Sequence, residues 1–125
     1  MGLFSAISGN AADISADEAA ESLEGVLAPN EEVQIAFKLV RDMYVFTNWR
    51  IVMVDKQGMT GRKVEYLSIP YRAITSFAIE TAGTFDVESE LTIWISGRAE
   101  PLERTLNKGA NIKGIQQAIA ASLAP

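Results

Sequence analysis

The sequence predicts a mainly β protein: a barrel of about seven antiparallel strands in two orthogonal sheets, with a helix before the strands and a capping helix after them. From residue 33, apolar residues alternate along the first predicted strand with a period of two, and turn signals interrupt the apolar segments up to residue 106 about every dozen residues. This spacing leaves no room for crossover helices, which favours an antiparallel meander. The last segment returns to helical spacing, so one helix closes an open corner of the sheets.

The amino-terminal helix is predicted to begin after Ser15. Ser15 and Glu18 have the spacing of a capping box, in which each residue satisfies a free backbone N–H of the first turn. We expect the helix to end at residues 28–30, which include a proline. Its apolar stripe should pack on the body through Ala20, Leu23, Val26 and Leu27.

The strands begin at residue 33, and the second and third form a hairpin over residues 42–55 with a turn at Thr47 and Asn48. Both faces of this hairpin are apolar, whereas a half-solvated strand alternates apolar and polar residues. A single carboxy-terminal helix cannot cover its outer face as well as the corner. Either the amino-terminal helix or the sheet of a neighbouring copy must cover it.

Four further strands are predicted at residues 63–68, 74–81, 91–96 and 102–106. Trp49 and Trp94 are expected in the core or in an interface, because each lies among branched apolar residues. The closing helix follows a cap at Asn111, and its apolar stripe contains Ile112, Ile115, Ile119 and Leu123.

Composition weakens several functional classes. The chain has 125 residues and contains no cysteine and no histidine, so it lacks thiolate nucleophiles, imidazole bases and the usual zinc ligands. We predict that it is not an enzyme and needs no cofactor or metal. No apolar run approaches the ~20 residues of a membrane span. The first residues lack the positive charge and long apolar core of a secretory signal, so we expect a cytoplasmic protein.

Charge divides the chain into an acidic leading segment and a mildly basic body. Residues 1–32 hold seven of the 16 acidic residues and none of the 11 Lys and Arg residues. We predict an acidic helical extension over residues 1–31, packed on a barrel with its closing helix over residues 32–125. The acidic segment is either a solvated face or a docking surface for basic groups. The net charge of −5 argues against nucleic acid, which requires a basic stripe.

Four segments carry a resemblance to a known family: TNWRIVMVDKQG at residues 47–58, TGRKVEY at 60–66, SIPY at 68–71 and FAIETAG at 77–83. They resemble the bacterial pleckstrin-homology-like (PH-like) domain family, and the likeness covers residues 15–123. The resemblance implies the seven-stranded, helix-capped barrel, and for some members a homo-oligomeric, ring-like assembly. The family is largely of unknown function, so the likeness transfers fold rather than activity.

We predict a non-catalytic, homo-oligomeric PH-like module for protein interaction or scaffolding. Pairing of open strand edges between copies would bury surface that one copy leaves exposed. A protein or peptide partner also fits this prediction. The predicted interface residues are Tyr44, Phe46, Val52, Val54 and Trp94.

The alternative is a binding module for an anionic lipid headgroup, phosphate or peptide, at the loops after the first and third strands. Its basic residues would be Lys38, Arg41, Lys56, Arg62 and Lys63, unless these are only solubilising loop charges. Lipid-binding pleckstrin-homology domains hold phosphorylated inositols beside a long, basic first loop. Here that loop is only residues 40–42 and contains an acidic residue, which argues against binding to membrane lipids.

Overall fold

The fold is described from a computed structural model, for residues 13–38, 42–57, 62–81, 88–106 and 112–123. Its elements in chain order are β1 (Asp13–Ile14), α1 (Ala16–Ser22), β2 (Val33–Lys38), β3 (Asp42–Thr47), β4 (Arg50–Gln57), β5 (Lys63–Pro70), a 3-10 turn (Tyr71–Ala73), β6 (Ile74–Glu80), β7 (Ser89–Ile95), β8 (Leu102–Leu106) and α2 (Ile112–Leu123).

Two antiparallel sheets form the body, in the orders β1-β2-β3-β4-β5 and β6-β7-β8. The predicted fold class is confirmed: the seven predicted strands are present, and the two-residue β1 adds a short edge beside β2. Within the described residues, no hydrogen-bonded ladder joins the two sheets. The architecture is therefore an open two-sheet sandwich rather than a closed barrel.

The main core lies between the two sheets and α2. The side chains of Phe37 and Phe46 meet edge to face there, with ring centroids 6.2 Å apart. Ile115 and Ile119 of α2 are fully buried against this core, as the helical spacing predicts. The predicted stripe is wrong only at Leu123, whose side chain is exposed at the end of the helix.

The outer face of the β3–β4 hairpin is covered by the amino-terminal segment of the same chain. Val52 and Val54 lie on this face, and Ala19 of α1 and Leu23, directly after the helix, pack against them. Burying such apolar side chains stabilises the fold by roughly 1.5–3 kcal/mol each. The sequence left two candidates for covering this face, the amino-terminal helix and the sheet of a neighbouring copy. In the structure the amino-terminal helix covers it.

The capping residue of α1 is as predicted, but the helix is shorter. The Ser15 hydroxyl oxygen accepts a hydrogen bond from the backbone N–H of Glu18 at 3.0 Å. The helix ends at Ser22 rather than near residue 28, and a turn with Gly25 at φ +87° follows it. Because that backbone conformation suits glycine, the chain leaves the helix there. The residues after the turn still pack on the outer face of the hairpin.

Candidate functional site

A buried ion pair joins the amino-terminal segment to the hairpin. The Glu31 carboxylate accepts two hydrogen bonds from the Arg50 guanidinium, at 2.8 and 2.9 Å, and a third from the Thr47 hydroxyl at 2.8 Å. The backbone N–H of Ala28 donates a fourth at 2.9 Å. The Glu31 side chain is 0% exposed and that of Arg50 is 23% exposed. The hydrogen bond from Arg50, opposed by desolvation, lowers the pKa of Glu31 to about 2.

Arg50 connects this ion pair to two further parts of the fold. Its guanidinium donates to the Val26 carbonyl at 2.9 Å and to the Ser68 hydroxyl of β5 at 2.7 Å. A second set of bonds lies at the hairpin turn, where the Asn48 side chain accepts from the backbone N–H of Glu32 at 2.8 Å. Polar groups thus hold the segment between α1 and β2 directly to β3 and β4. Through Arg50 they also connect it to β5.

The same turn is also linked to the carboxy-terminal helix. The buried Tyr71 hydroxyl donates to the Thr47 carbonyl at 2.7 Å. Burial raises the pKa of Tyr71 to about 12, and the neighbouring Ser122 hydroxyl of α2 opposes the shift. Because the buried carboxylate and hydroxyl groups of the network all bond to protein partners, the network acts as a structural clamp. Sequence reasoning missed it, because the partners are about 20 residues apart and only the turn brings them together.

Four of the five predicted interface residues are covered within a single chain. Tyr44 and Phe46 lie in the main core, and Val52 and Val54 lie under α1 on the opposite face of the hairpin. In the folded chain these four side chains therefore do not form one exposed contact surface. Trp94 is different: it lies on the outer face of β7 and is 40% exposed.

The predicted basic residues collect at one end of the first sheet, but not on one side of it. Lys38 is the last residue of β2, and Lys56 lies near the end of β4. Lys63 is the first residue of β5, and Arg62 directly precedes it. By the alternation of the strands, Lys38 and Lys56 share the face covered by α1, and Lys63 is on the other face. Arg41 lies outside the described residues.

Three carboxylates lie at the same end of the sheet as these bases, on the face that carries Lys63. Asp42 of β3 is opposite Asp55 of β4, which in turn is opposite Glu65 of β5. The end of the sheet therefore carries charges of both signs, and the bases do not form a dense cationic cluster.

Exposed aromatic side chains mark other surfaces. Trp49 is 50% exposed at the hairpin turn, and Tyr66 is 49% exposed on β5. With Trp94 also exposed, neither tryptophan lies in the core, and the alternative of an interface position stays a prediction. Each is surrounded by apolar residues in sequence, but a turn position and strand alternation direct the two indoles outward.

The described part of the chain contains neither a metal-binding cluster nor a membrane-spanning helix. In those residues, no group of three or more acidic side chains is arranged to hold a metal ion. The helices described above are all too short or too polar to cross a bilayer.

Comparison with known families decides the class of this sandwich. The family model described as Bacterial PH domain matches residues 2–123. The chain belongs to the bacterial PH domain family. The resemblance seen in the sequence is thus confirmed.

Relatives of this bacterial PH domain share its whole length. It is 48% identical to the uncharacterized protein YjqA of Bacillus subtilis (strain 168), over 97% of this chain and 98% of the relative. The crystal structure of a DUF1696 family protein with a pleckstrin-homology domain from Shewanella loihica PV-4 is 50% identical, with a TM-score of 0.83. That match covers 92% of this chain and 98% of the other.

A pleckstrin homology domain from Shewanella amazonensis SB2B is similar too. It is 48% identical, with a TM-score of 0.78, over 98% of this chain and 99% of the other. These similarities establish a bacterial PH-like fold. The names of these three proteins state no biochemical activity.

Proposed function

We propose that this bacterial PH domain is a non-catalytic cytoplasmic module that self-associates through the free edge of β5 and serves as a scaffold. The observation that carries the proposal is the length and exposure of this edge. All eight residues of β5 pair with β4 on one side. On its other side, no described strand pairs with it.

An edge of this length is a template for another strand, because its outer N–H and C=O groups have no ladder partner within the sheet. Tyr66 lies halfway along β5, and its half-exposed ring would be covered by a strand added there. Pairing β5 with a different edge of the next copy, such as β8, is a heterologous contact, and such contacts close into rings when the rotation allows. Saturation of the buried polar network supports a module without catalytic groups.

The mass of the particle in solution tests self-association. The chain has a mass of 13.6 kDa, so light scattering after gel filtration separates a monomer from any oligomer. We expect an oligomer for the wild type and a shift toward monomer for Tyr66→Lys, which places a charge beside the edge. Trp49→Ala, at the other half-exposed aromatic, is the control and should leave the mass unchanged. A wild type that is monomeric at micromolar concentration overturns the proposal.

A second candidate function is binding of an anionic group at the basic end of the first sheet. Two observations favour it: Lys38 and Lys56 are exposed on the same face, and neither forms an ion pair with a described residue. A phosphate or an acidic lipid headgroup would supply the missing counter-charge.

Charge reversal separates this candidate from self-association. Lys38→Glu combined with Lys56→Glu should abolish binding to inorganic phosphate or to phosphatidylserine vesicles without changing the particle mass. Arg98→Glu combined with Lys113→Glu makes the same charge change at exposed positions elsewhere and is the matched control. If the wild type shows no salt-sensitive binding to either probe, this candidate is wrong.

A further inference from the structure

We propose that the outer face of the second sheet binds a cationic segment of a partner protein. The acidic face, as we call it, is formed by outward side chains of β6, β7 and β8: Glu80, Glu90, Thr92, Trp94, Glu103 and Thr105. Leu91 and Ile93 of β7 point into the core, so the residues between and beside them point outward.

The strand register brings three carboxylates together on this face. Glu80 is directly opposite Glu90, and Glu103 is opposite Thr92, one outward position further along β7. Neighbouring strands are ~4.8 Å apart and outward positions on one strand are ~7 Å apart, so one short segment can span the three acids. Like charges directly opposite each other destabilise a sheet, and a bound cation relieves this repulsion.

No base of the described chain compensates these charges. Glu90 accepts a hydrogen bond from the Thr105 hydroxyl at 2.8 Å, which is a neutral partner. Arg104 follows Glu103 in sequence and has Leu91 as its register partner, on the inward side of β8. Its guanidinium donates to the backbone carbonyl of Glu103 at 2.8 Å and not to a carboxylate. The salt bridge of the described residues lies elsewhere, in the Glu31 clamp.

Trp94 gives the acidic face its chemical selectivity. Its indole is 40% exposed on the same strand as Glu90 and Thr92. A tryptophan face attracts Lys and especially Arg, whose planar guanidinium can stack on the ring while it bonds to a carboxylate. An apolar partner would bury the carboxylates unpaired, and a nucleic acid would meet them with its phosphates.

The charges also argue that the partner is a different chain. Packing the acidic face against the same face of a second copy would bring six carboxylates together. The basic end of a second copy carries its own acids, Asp42, Asp55 and Glu65, which weakens its attraction. A segment with several Arg or Lys residues and no acids fits better.

Fluorescence anisotropy with a labelled peptide of alternating Arg and Ser residues tests this proposal. We expect salt-sensitive binding that Trp94→Ala, or Glu80→Gln combined with Glu103→Gln, weakens about ten-fold. The controls are Trp49→Ala at the other exposed indole and Glu21→Gln combined with Glu24→Gln on the acidic segment, which removes the same charge. These should bind as the wild type does.

The two indole N–H signals in an NMR spectrum give a second readout. The chain has two tryptophans, so Trp49→Phe assigns both signals. Addition of the peptide should shift the Trp94 signal and leave that of Trp49 in place. Absence of binding, equal weakening in the charge-matched control, or a shift confined to Trp49 overturns the proposal.

Discussion

Replacing Glu31 with Gln should remove most of the stability that the buried clamp contributes at neutral pH. The pKa of Glu31 falls from 4.5 to about 2 on folding. At about 1.4 kcal/mol per pKa unit, this shift corresponds to about 3 kcal/mol of unfolding free energy. Because the Glu31 side chain is 0% exposed and that of Arg50 is 23% exposed, solvent screens this pair only weakly. In the variant, Arg50 keeps its bonds to Val26 and Ser68 but loses its counter-charge.

The direction in which pH changes the stability follows from the pKa shift of Glu31. Because folding depresses the pKa of Glu31, its contribution is fully present above pH 4.5 and is lost as the pH falls toward 2. Urea unfolding followed by tryptophan fluorescence, on both proteins from pH 7 down to pH 2, measures it. We expect the Glu31→Gln variant to be about 3 kcal/mol less stable at pH 7. The two curves should approach each other as the pH falls to 2, where about half of the wild-type carboxyl is protonated in the folded protein.

Other carboxylates titrate in the same range, so the difference between the two proteins is the quantity that matters. If the two curves stay parallel from pH 5 to pH 2, the ion pair does not lower the pKa of Glu31 and the reasoning is refuted. A double-mutant cycle with Arg50→Met isolates the pair itself. A coupling energy near zero would show that Glu31 is held by Thr47 and Ala28 instead.

Three further substitutions test the packing around the clamp, each by urea unfolding. Leu23→Ala removes a buried side chain between α1 and the hairpin and should destabilise the protein by about 3 kcal/mol; a loss below 1 kcal/mol would mean that α1 is not docked. Gly25→Ala should destabilise by about 1 kcal/mol through the backbone alone, since φ is +87° and no atom lies within 4 Å of the added methyl group. If the stability of Gly25→Ala equals that of the wild type, residue 25 does not have the positive φ angle on which this prediction rests. Tyr71→Phe leaves the Thr47 carbonyl without its donor and should lose about 1 kcal/mol, whereas a stabilised variant would contradict the bond.

Local pattern predicted the elements well, because the signals that define them lie within a few residues. Ser15 caps α1 as its spacing to Glu18 predicts, and Ile115 and Ile119 face the core as their helical period predicts. The end of α1 was predicted too late. Gly25 stops the helix while the apolar stripe continues through Val26, since the same side chains can pack from a turn as well as from a helix.

The candidate sites were less predictable, because they depend on which face of a strand meets which neighbour. The interface prediction chose apolar residues, and folding buries Phe46 and Val54 on opposite faces of one hairpin. The described basic residues do reach one end of the sheet, but they lie on both of its faces, and Asp42 and Asp55 lie at the same end. Charge and hydropathy give no register, and register decides which groups become neighbours.

By itself the sequence determined two antiparallel sheets closed by a carboxy-terminal helix, a resemblance to the PH-like family, and an apolar hairpin that needed cover on both faces. Period, turn chemistry and composition are local properties, so they can be read from the chain directly. Tertiary structure alone decided that the amino-terminal helix supplies that cover and that Glu31 and Arg50 clamp it in place. It also decided that Trp94 lies on the outer face of the second sheet, which carries three carboxylates as well. Long-range pairing creates these neighbourhoods, and no local pattern encodes it.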